Sequence, residues 1–435
     1  MDLPDALAWL DTHVNFESSA DGPPRAGSVG GLSLDRMRSL VDVLGDPQGH
    51  YPVIHVTGTN GKGSTARIAS RLLAETGLTV GTYASPHLHR INERISRNAE
   101  PIDDAELASV LTDLRTVVPL SGVDPSWFEL VTAAAFRWFS DVAVDVAVVE
   151  VGMLGRYDAT NVADASVAVI TNIGPDHTDF QGDWRRAVAE EKAGIVTPGC
   201  TLVLGETDEG LRPVFAGAGA AEVWERGEHW DCEQNLLAVG GRLLDLRTPN
   251  GTVEEVFLPL HGAHQGDNAA CALAAVEAFF GHGLNANIVS DALLGVTAPG
   301  RFEIVSREPL IVLDGAHNAA GASAVAQTLA EDFEVPGSRI LVVGMLAPRN
   351  PVDVLEALDA ATADLVIACT PSSPRAVPAS EVATAAASLG VPAEVIADVG
   401  RAVTRAVDRA GADDAVLVTG SLYVVGAART HLGLD

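Results

Sequence analysis

At 435 residues the chain is too long for one ordinary core and short enough for two or three domains. Its formal charge of −30 disfavours nucleic acid and anionic membrane surfaces as partners, yet is compatible with a small anionic substrate in a local basic pocket. Apolar residues make up 47% and aromatics 5%, with no apolar run as long as a bilayer span, which suits helices packed on parallel strands rather than a membrane protein.

The opening segment MDLPDALAWLDTHV is acidic and lacks the basic flank and cleavage site of a secretory signal, so a cytoplasmic protein is expected. Cys200, Cys232, Cys271 and Cys369 are far apart and form no CxxC pair, in keeping with a reducing compartment. Of the 28 basic residues only Lys62 and Lys192 are lysines. A chain that otherwise uses Arg throughout has a reason to keep an amine at those places, since guanidinium cannot supply a compact point charge or lose its proton.

In chain order, an apolar strand (53–56) leads through a glycine-rich turn (57–64) into an amphipathic helix ending near Thr76, and a second strand covers 79–84. A helix over 127–139, strands over 145–150 and 167–171, a helix over 184–196 and a strand over 201–204 follow. The stretch 206–259 is weaker in pattern, with short β-prone pieces, and 266–280 reads as a strong helix. After a break near Pro299 and Gly300 the alternation restarts, with strands at 310–313, 339–343, 363–368 and 415–419. The expected fold is α/β: a phosphate-loop-containing, doubly wound parallel-sheet central domain (1–297) followed by a smaller Rossmann-like α/β domain (298–435).

The turn Gly58-Thr59-Asn60-Gly61-Lys62-Gly63-Ser64 lies where backbone N–H groups and a helix dipole favour a phosphate. It departs from the GxxxxGK[ST] template, because Val56 holds the first glycine position and Gly63 separates Lys62 from Ser64. A triphosphate there needs a metal, and three hard-oxygen candidates stand at neighbouring strand ends: Ser64, Ser85 and Glu150, the last closing an apolar strand. His177, between Asp176 and Asp179, is a further candidate at the same end of the sheet. Lys192 follows two glutamates, a setting that by itself describes a solvated helix face as readily as a site.

These residues resemble the folylpolyglutamate synthase and dihydrofolate synthase group of the Mur ligase superfamily. The resemblance rests on the loop above, Ser85-Pro86-His87-Leu88, Phe128-Glu129, Asp158-Ala159-Thr160-Asn161, Asp176-His177-Thr178, Glu191-Lys192-Ala193-Gly194-Ile195, His264-Gln265 with Asn268, Pro299-Gly300-Arg301-Phe302-Glu303 and Asp314-Gly315-Ala316-His317-Asn318. They occur in the family's order along nearly the whole chain. The resemblance implies ATP with two Mg²⁺ ions as cofactors, and pteroate or folate and L-glutamate as substrates of a monomeric ligase. It implies that Thr59, Asn60, Gly61, Lys62, Gly63 and Ser64, with Asn268, Arg301 and Asp314, hold the nucleotide. It further implies metal ligation by Ser64, Ser85, Glu150, His177 and a carbamylated Lys192, and catalytic roles for Lys62, Lys192, His177 and His317. Phe128, Glu129, Tyr157, Asp158 and Ala159 would lie along the pterin-bearing substrate.

Three departures stand out. Leu154 occupies a position where the family usually has Gly, Ala347-Pro348-Arg349-Asn350 replaces the usual acidic and lysine residues, and the segment 31–36 matches the pterin side only loosely. Two alternatives stay open at this point: another Mur-type acid–amino-acid ligase, and a non-catalytic ATP- or folate-binding paralogue.

Overall fold

A computed structural model describes residues 1–17, 19, 26, 33–175, 178 and 182–434. Its larger sheet has eight strands: β1 (Val53–Thr57), β2 (Val80–Tyr83), β3 (Ile95–Arg97), β4 (Glu100–Pro101), β5 (Val146–Glu150), β6 (Ala165–Ile170), β7 (Thr201–Leu204) and β8 (Glu222–Glu225). Their order is β4-β3-β2-β5-β1-β6-β7-β8, parallel throughout except for β3 and β4.

Strand periodicity explains why both faces are covered. Ile54 and Val56 of β1, with Val146 and Val148 of β5, pack into one core shared with helices Lys62–Glu75 and His264–Phe280. Val53, Ala147 and Val149 point the other way, against helices Asp104–Ser121 and Trp127–Asp141. The latter helix is fixed at its start by a capping box between Ser126 and Glu129.

The weakly patterned region is a three-stranded antiparallel sheet, β9 (Asp231–Ala238), β10 (Gly241–Thr248) and β11 (Gly251–Leu258). Its inner face seats Leu244, Leu246, Val256 and Leu258 in the core of the larger sheet. Beyond helix Ala286–Leu294 the chain crosses to a second sheet. That sheet comprises β12 (Glu303–Arg307), β13 (Leu310–Leu313), β14 (Arg339–Val343), β15 (Leu365–Ala368), β16 (Ala393–Val395) and β17 (Ala415–Thr419). Its order is β12-β13-β17-β14-β15-β16, with only β12 antiparallel, and cores line both faces. Among the described residues, no helix is long and apolar enough to cross a membrane.

Candidate active site

The carboxyl ends of β1, β5 and β6 converge where doubly wound sheets hold ligands. Between β1 and helix Lys62–Glu75 the backbone turns through Gly58 at φ +148° and Gly61 at φ +83°. A Cβ at Gly58 would collide with Thr171 Oγ1, and one at Gly61 with Asn268 Oδ1, so both positions need glycine for conformation and for space. The turn is fixed from the β6 side: Asn172 O accepts from Thr59 N at 3.1 Å, Asn172 Oδ1 from Asn60 N at 3.0 Å, and Thr171 Oγ1 donates to Asn60 O at 2.6 Å. The amides at the helix start are thereby aimed before any ligand arrives.

Both lysines are here. Lys62 Nζ donates to Gly58 O at 3.0 Å and Thr59 O at 3.2 Å, and Lys192 Nζ, on a residue 3% exposed, donates to Gly58 O at 2.8 Å. The solvated-face reading of Lys192 is therefore overturned: the helix turns it inward, under the loop.

Glu150 is 5% exposed and accepts from Ser85 N–H at 3.2 Å. Its Oε2 is 3.5 Å from where a Cβ on Gly63 would stand, so the carboxylate lies against the phosphate loop. Burial raises its pKa, with Lys62, the Ser85 amide and Arg301 drawing it back. A buried carboxylate so thinly supplied with donors, beside the Ser64 and Ser85 segments in one cavity, is chemistry that suits a hard divalent cation. Among the described residues no three His, Cys, Asp or Glu side chains converge, so this set is one carboxylate with hydroxyls. His177, with Asp176 and Asp179, lies outside the described residues.

The cavity, of about 530 Å³, is lined by Phe128, Glu129, Tyr157, Asp158 and Ala159 on the side expected for the substrate. Two of these are already engaged. Glu129 closes its capping box and receives Arg36 Nε at 3.2 Å on both oxygens. Asp158 accepts from Met153 N at 2.9 Å and from Thr160 N and Oγ1 at 3.0 and 2.5 Å. Their carboxylates thus shape the wall, while the Phe128 ring and the 37% exposed Tyr157 offer it surface. The ring of Phe128 fills the space beside Gly152, where a Cβ would collide with it. Leu154, in the turn beyond, adopts φ +58° and is 4% exposed, its carbonyl accepting from Thr57 Oγ1 at 2.6 Å.

The far wall comes from the second sheet and its linker. Arg301, Asp314 and His317 reach the cavity from there, and Asn268 joins them from helix His264–Phe280 of the first half. Asp314 is held by Phe302 N and Ala316 N, both at 2.7 Å, its pKa raised by burial and opposed by Arg301. His317 Nδ1 is 3.0 Å from Gly315 O. Asn318 Nδ2 donates to Asn60 Oδ1 at 3.0 Å, so the two halves touch directly over the phosphate loop.

Sequence reasoning missed further lining residues: Glu17, Arg36, Arg349, Arg375 and Tyr423. Arg349 comes from the departing loop Ala347-Pro348-Arg349-Asn350 and Arg36 from the loosely matching N-terminal segment; no local signal in the sequence marks them, or Arg375, as site residues. Arg375 reaches backbone carbonyls of Ala347 at 2.7 Å and Glu17 at 3.4 Å. Glu17 in turn receives Arg94 at 2.9 and 2.6 Å. Arg94 stacks over Trp127 at 4.9 Å and donates Nε to His87 Nδ1 at 2.8 Å; burial, then Arg94, brings the His87 pKa down to about 4.

Burial pushes the thiols of Cys232, Cys271 and Cys369 up to about 12, which leaves them poor nucleophiles. The arrangement provides a phosphate cradle, a cation-suited carboxylate, an apolar and aromatic wall and an arginine-bearing wall on one cavity.

The Mur ligase middle domain model matches residues 129–276, and the Mur ligase glutamate ligase domain model residues 300–422. The dihydrofolate synthase/folylpolyglutamate synthase of Mycobacterium tuberculosis is 39% identical over 444 residues, spanning 93% of this chain and 90% of that protein. The structure of the Mycobacterium tuberculosis folylpolyglutamate synthase complexed with ADP superposes with a TM-score of 0.91 at 37% identity, covering 100% of this chain and 98% of that one. A bifunctional folylpolyglutamate synthase/dihydrofolate synthase with Mn, AMPPNP and L-glutamate bound gives 0.86 at 30% identity, with coverage of 100% and 98%.

Proposed function

This chain belongs to the dihydrofolate synthase/folylpolyglutamate synthase family of Mur ligases, ATP-dependent glutamate ligases, and from that membership we propose how its own residues divide the work. The acceptor is a pteroate or folate carboxylate, lying along Phe128, Tyr157 and Ala159, and the incoming amine is that of L-glutamate. The observation that carries this reading is the single cavity joining the phosphate loop to Arg349 and Arg375, whose planar guanidinium groups suit carboxylates.

A carboxylate is a poor electrophile, so an oxygen of the acceptor first attacks the γ-phosphorus of ATP in line, giving an acyl phosphate and ADP. Lys62 and the loop amides neutralise charge developing on the transferred group. The amine of glutamate then attacks the acyl carbon, the tetrahedral intermediate expels inorganic phosphate, and the amide remains. His317 stands by the reacting phosphate. The second sheet's contact through Asn318 supports exclusion of water, which would otherwise hydrolyse the acyl phosphate.

Ser64, Ser85 and Glu150 would hold one Mg²⁺, and His177 with a carbamylated Lys192 would complete a second. When bound, these ions supply Lewis-acid stabilisation of the phosphoryl oxygens. The division into 1–297 and 298–435 is supported by the change of sheet between β11 and β12. A cytoplasmic location is in keeping with four free cysteines.

The testing experiment is ADP release by the purified protein with ATP, Mg²⁺ and glutamate, comparing dihydropteroate with tetrahydrofolate. Release with either establishes the acceptor class; release with neither, while ADP still binds, points to another acid as the substrate.

A further inference from the structure

Helix Ala319–Asp332 touches the first half of the molecule at both of its ends. At its start, Asn318 caps the helix through Gly321 N at 2.8 Å and reaches Asn60 Oδ1 in the phosphate loop at 3.0 Å. At its end, Asp332, whose side chain is 0% exposed, accepts from Arg242 Nη2 at 2.5 Å and from Gly262 N–H at 3.0 Å. Arg242 belongs to β10, the central strand of the three-stranded sheet, and Gly262 to the segment leading into helix His264–Phe280.

The surroundings of Asp332 are equally shared. His261 Nδ1 stands 3.4 Å from Asp332 Oδ2. The His261 ring lies 4.9 Å from that of Phe333 and 6.0 Å from that of Phe302, and the two phenyl rings stack at 5.5 Å. Phe302 sits in the crossing from one sheet to the other. Ion pair, aromatic stack and covalent crossing are thus gathered at one place, while the Asn60–Asn318 contact is a helix of 14 residues away, about 21 Å.

A half that opens to admit nucleotide and release product moves least beside its covalent crossing. Burial of Asp332 and Arg242 argues the same way, because parting them would strand a charge in the interior. Another contact with the first half also lies beside the crossing: Arg429, its side chain 11% exposed, pairs with Glu303 at the start of β12 and donates Nε to His89 Nε2 at 3.1 Å.

We propose that Asp332, with Arg242, is the pivot about which the C-terminal half turns, a positioning residue that aims the turn from Asp314 to Asn318 at the phosphate loop. The assignment rests on the ligase reading for its activity arm and on geometry alone for its dynamic arm. Asp332→Asn keeps the shape of the side chain and removes its charge. Turnover for ADP release is expected to fall at least about 10-fold, as small misplacements of reacting groups do. In the ligand-free protein, amide exchange at Gly315, Ala316, Gly321 and Ala322, at the far end of the helix, is expected to quicken at least about 5-fold.

If that variant does not fold, Arg242→Met combined with Asp332→Leu leaves no stranded ion and is expected to show the same distant quickening. Exchange that changes only around Leu260–Gly262 and the last helical turn, with turnover intact, makes the pair a local brace and overturns the pivot. Absence of ADP release from the unsubstituted protein would count against the ligase reading instead, and the exchange result would still decide the pivot.

Discussion

Lys62 and Lys192, distant in sequence, donate to one atom, the carbonyl oxygen of Gly58, at 3.0 and 2.8 Å. Two ammonium groups held within about 6 Å of each other repel by about 3 kcal/mol at an effective dielectric of about 20. The arrangement is relieved when phosphate enters the loop or when one amine becomes an anion. That is the physical case for a carbamate on Lys192, formed when the neutral amine attacks CO₂ and loses a proton.

Lys192→Arg is accordingly expected to keep a cation under the loop and lose at least about 100-fold in turnover, since guanidinium forms no carbamate. Carbon-13 NMR of the wild type in labelled bicarbonate should show a carbamate carbon that the variant lacks. A wild type without that signal would assign Lys192 to hydrogen bonding alone.

Glu150→Gln keeps the acceptor for Ser85 N–H and removes the charge facing the loop. The Mg²⁺ concentration for half-maximal activity should rise by about 10-fold or more, in line with loss of a hard anionic ligand. An unchanged Mg²⁺ titration would make Glu150 a structural carboxylate.

Leu154 holds φ +58° while its side chain is buried in the core beneath the substrate wall. Left-handed backbone costs a leucine about 1 kcal/mol, whereas deleting a buried leucine side chain costs about 3 kcal/mol. Leu154→Gly should therefore destabilise by about 2 kcal/mol in chemical denaturation. A more stable variant would mean that the backbone term wins.

His87 must keep Nδ1 unprotonated to accept from Arg94, and its pKa is lowered to about 4 against an ordinary 6.5. The unfolded chain binds the proton first as pH falls, so this group's contribution is whole above about pH 6.5 and is lost on the way to pH 4, up to about 3 kcal/mol. His87→Gln should flatten the decline in stability over that window; an identical slope would place the acid sensitivity elsewhere.

What could be read from sequence follows the range of the interactions. The strand, glycine turn and helix from Val53 to Glu75 are visible because a local apolar run and a local turn determine them. The three-stranded sheet hides its period: register shifts beside Leu246 break the alternation, and Leu236 and Leu237 stand 50% and 52% exposed. Helix Asp104–Ser121 and the short N-terminal helix Leu3–Leu10 carry little local signal, as their apolar faces make sense only once they pack together. Arg36 and Arg375 become site residues solely through tertiary folding, whereas the loop, Glu150 and both lysines carried their own signatures.

The scarcity of lysine has a practical consequence. Reagents that acylate amines, including most cross-linkers and fluorescent esters, find on this protein only the α-amine of Met1, the half-buried Lys62 and the enclosed Lys192. Such chemistry, usually a blunt modification of a whole surface, becomes here a reporter on one loop once the mass added at Met1 is set aside, and protection by nucleotide is followed as loss of the masses added at Lys62 and Lys192.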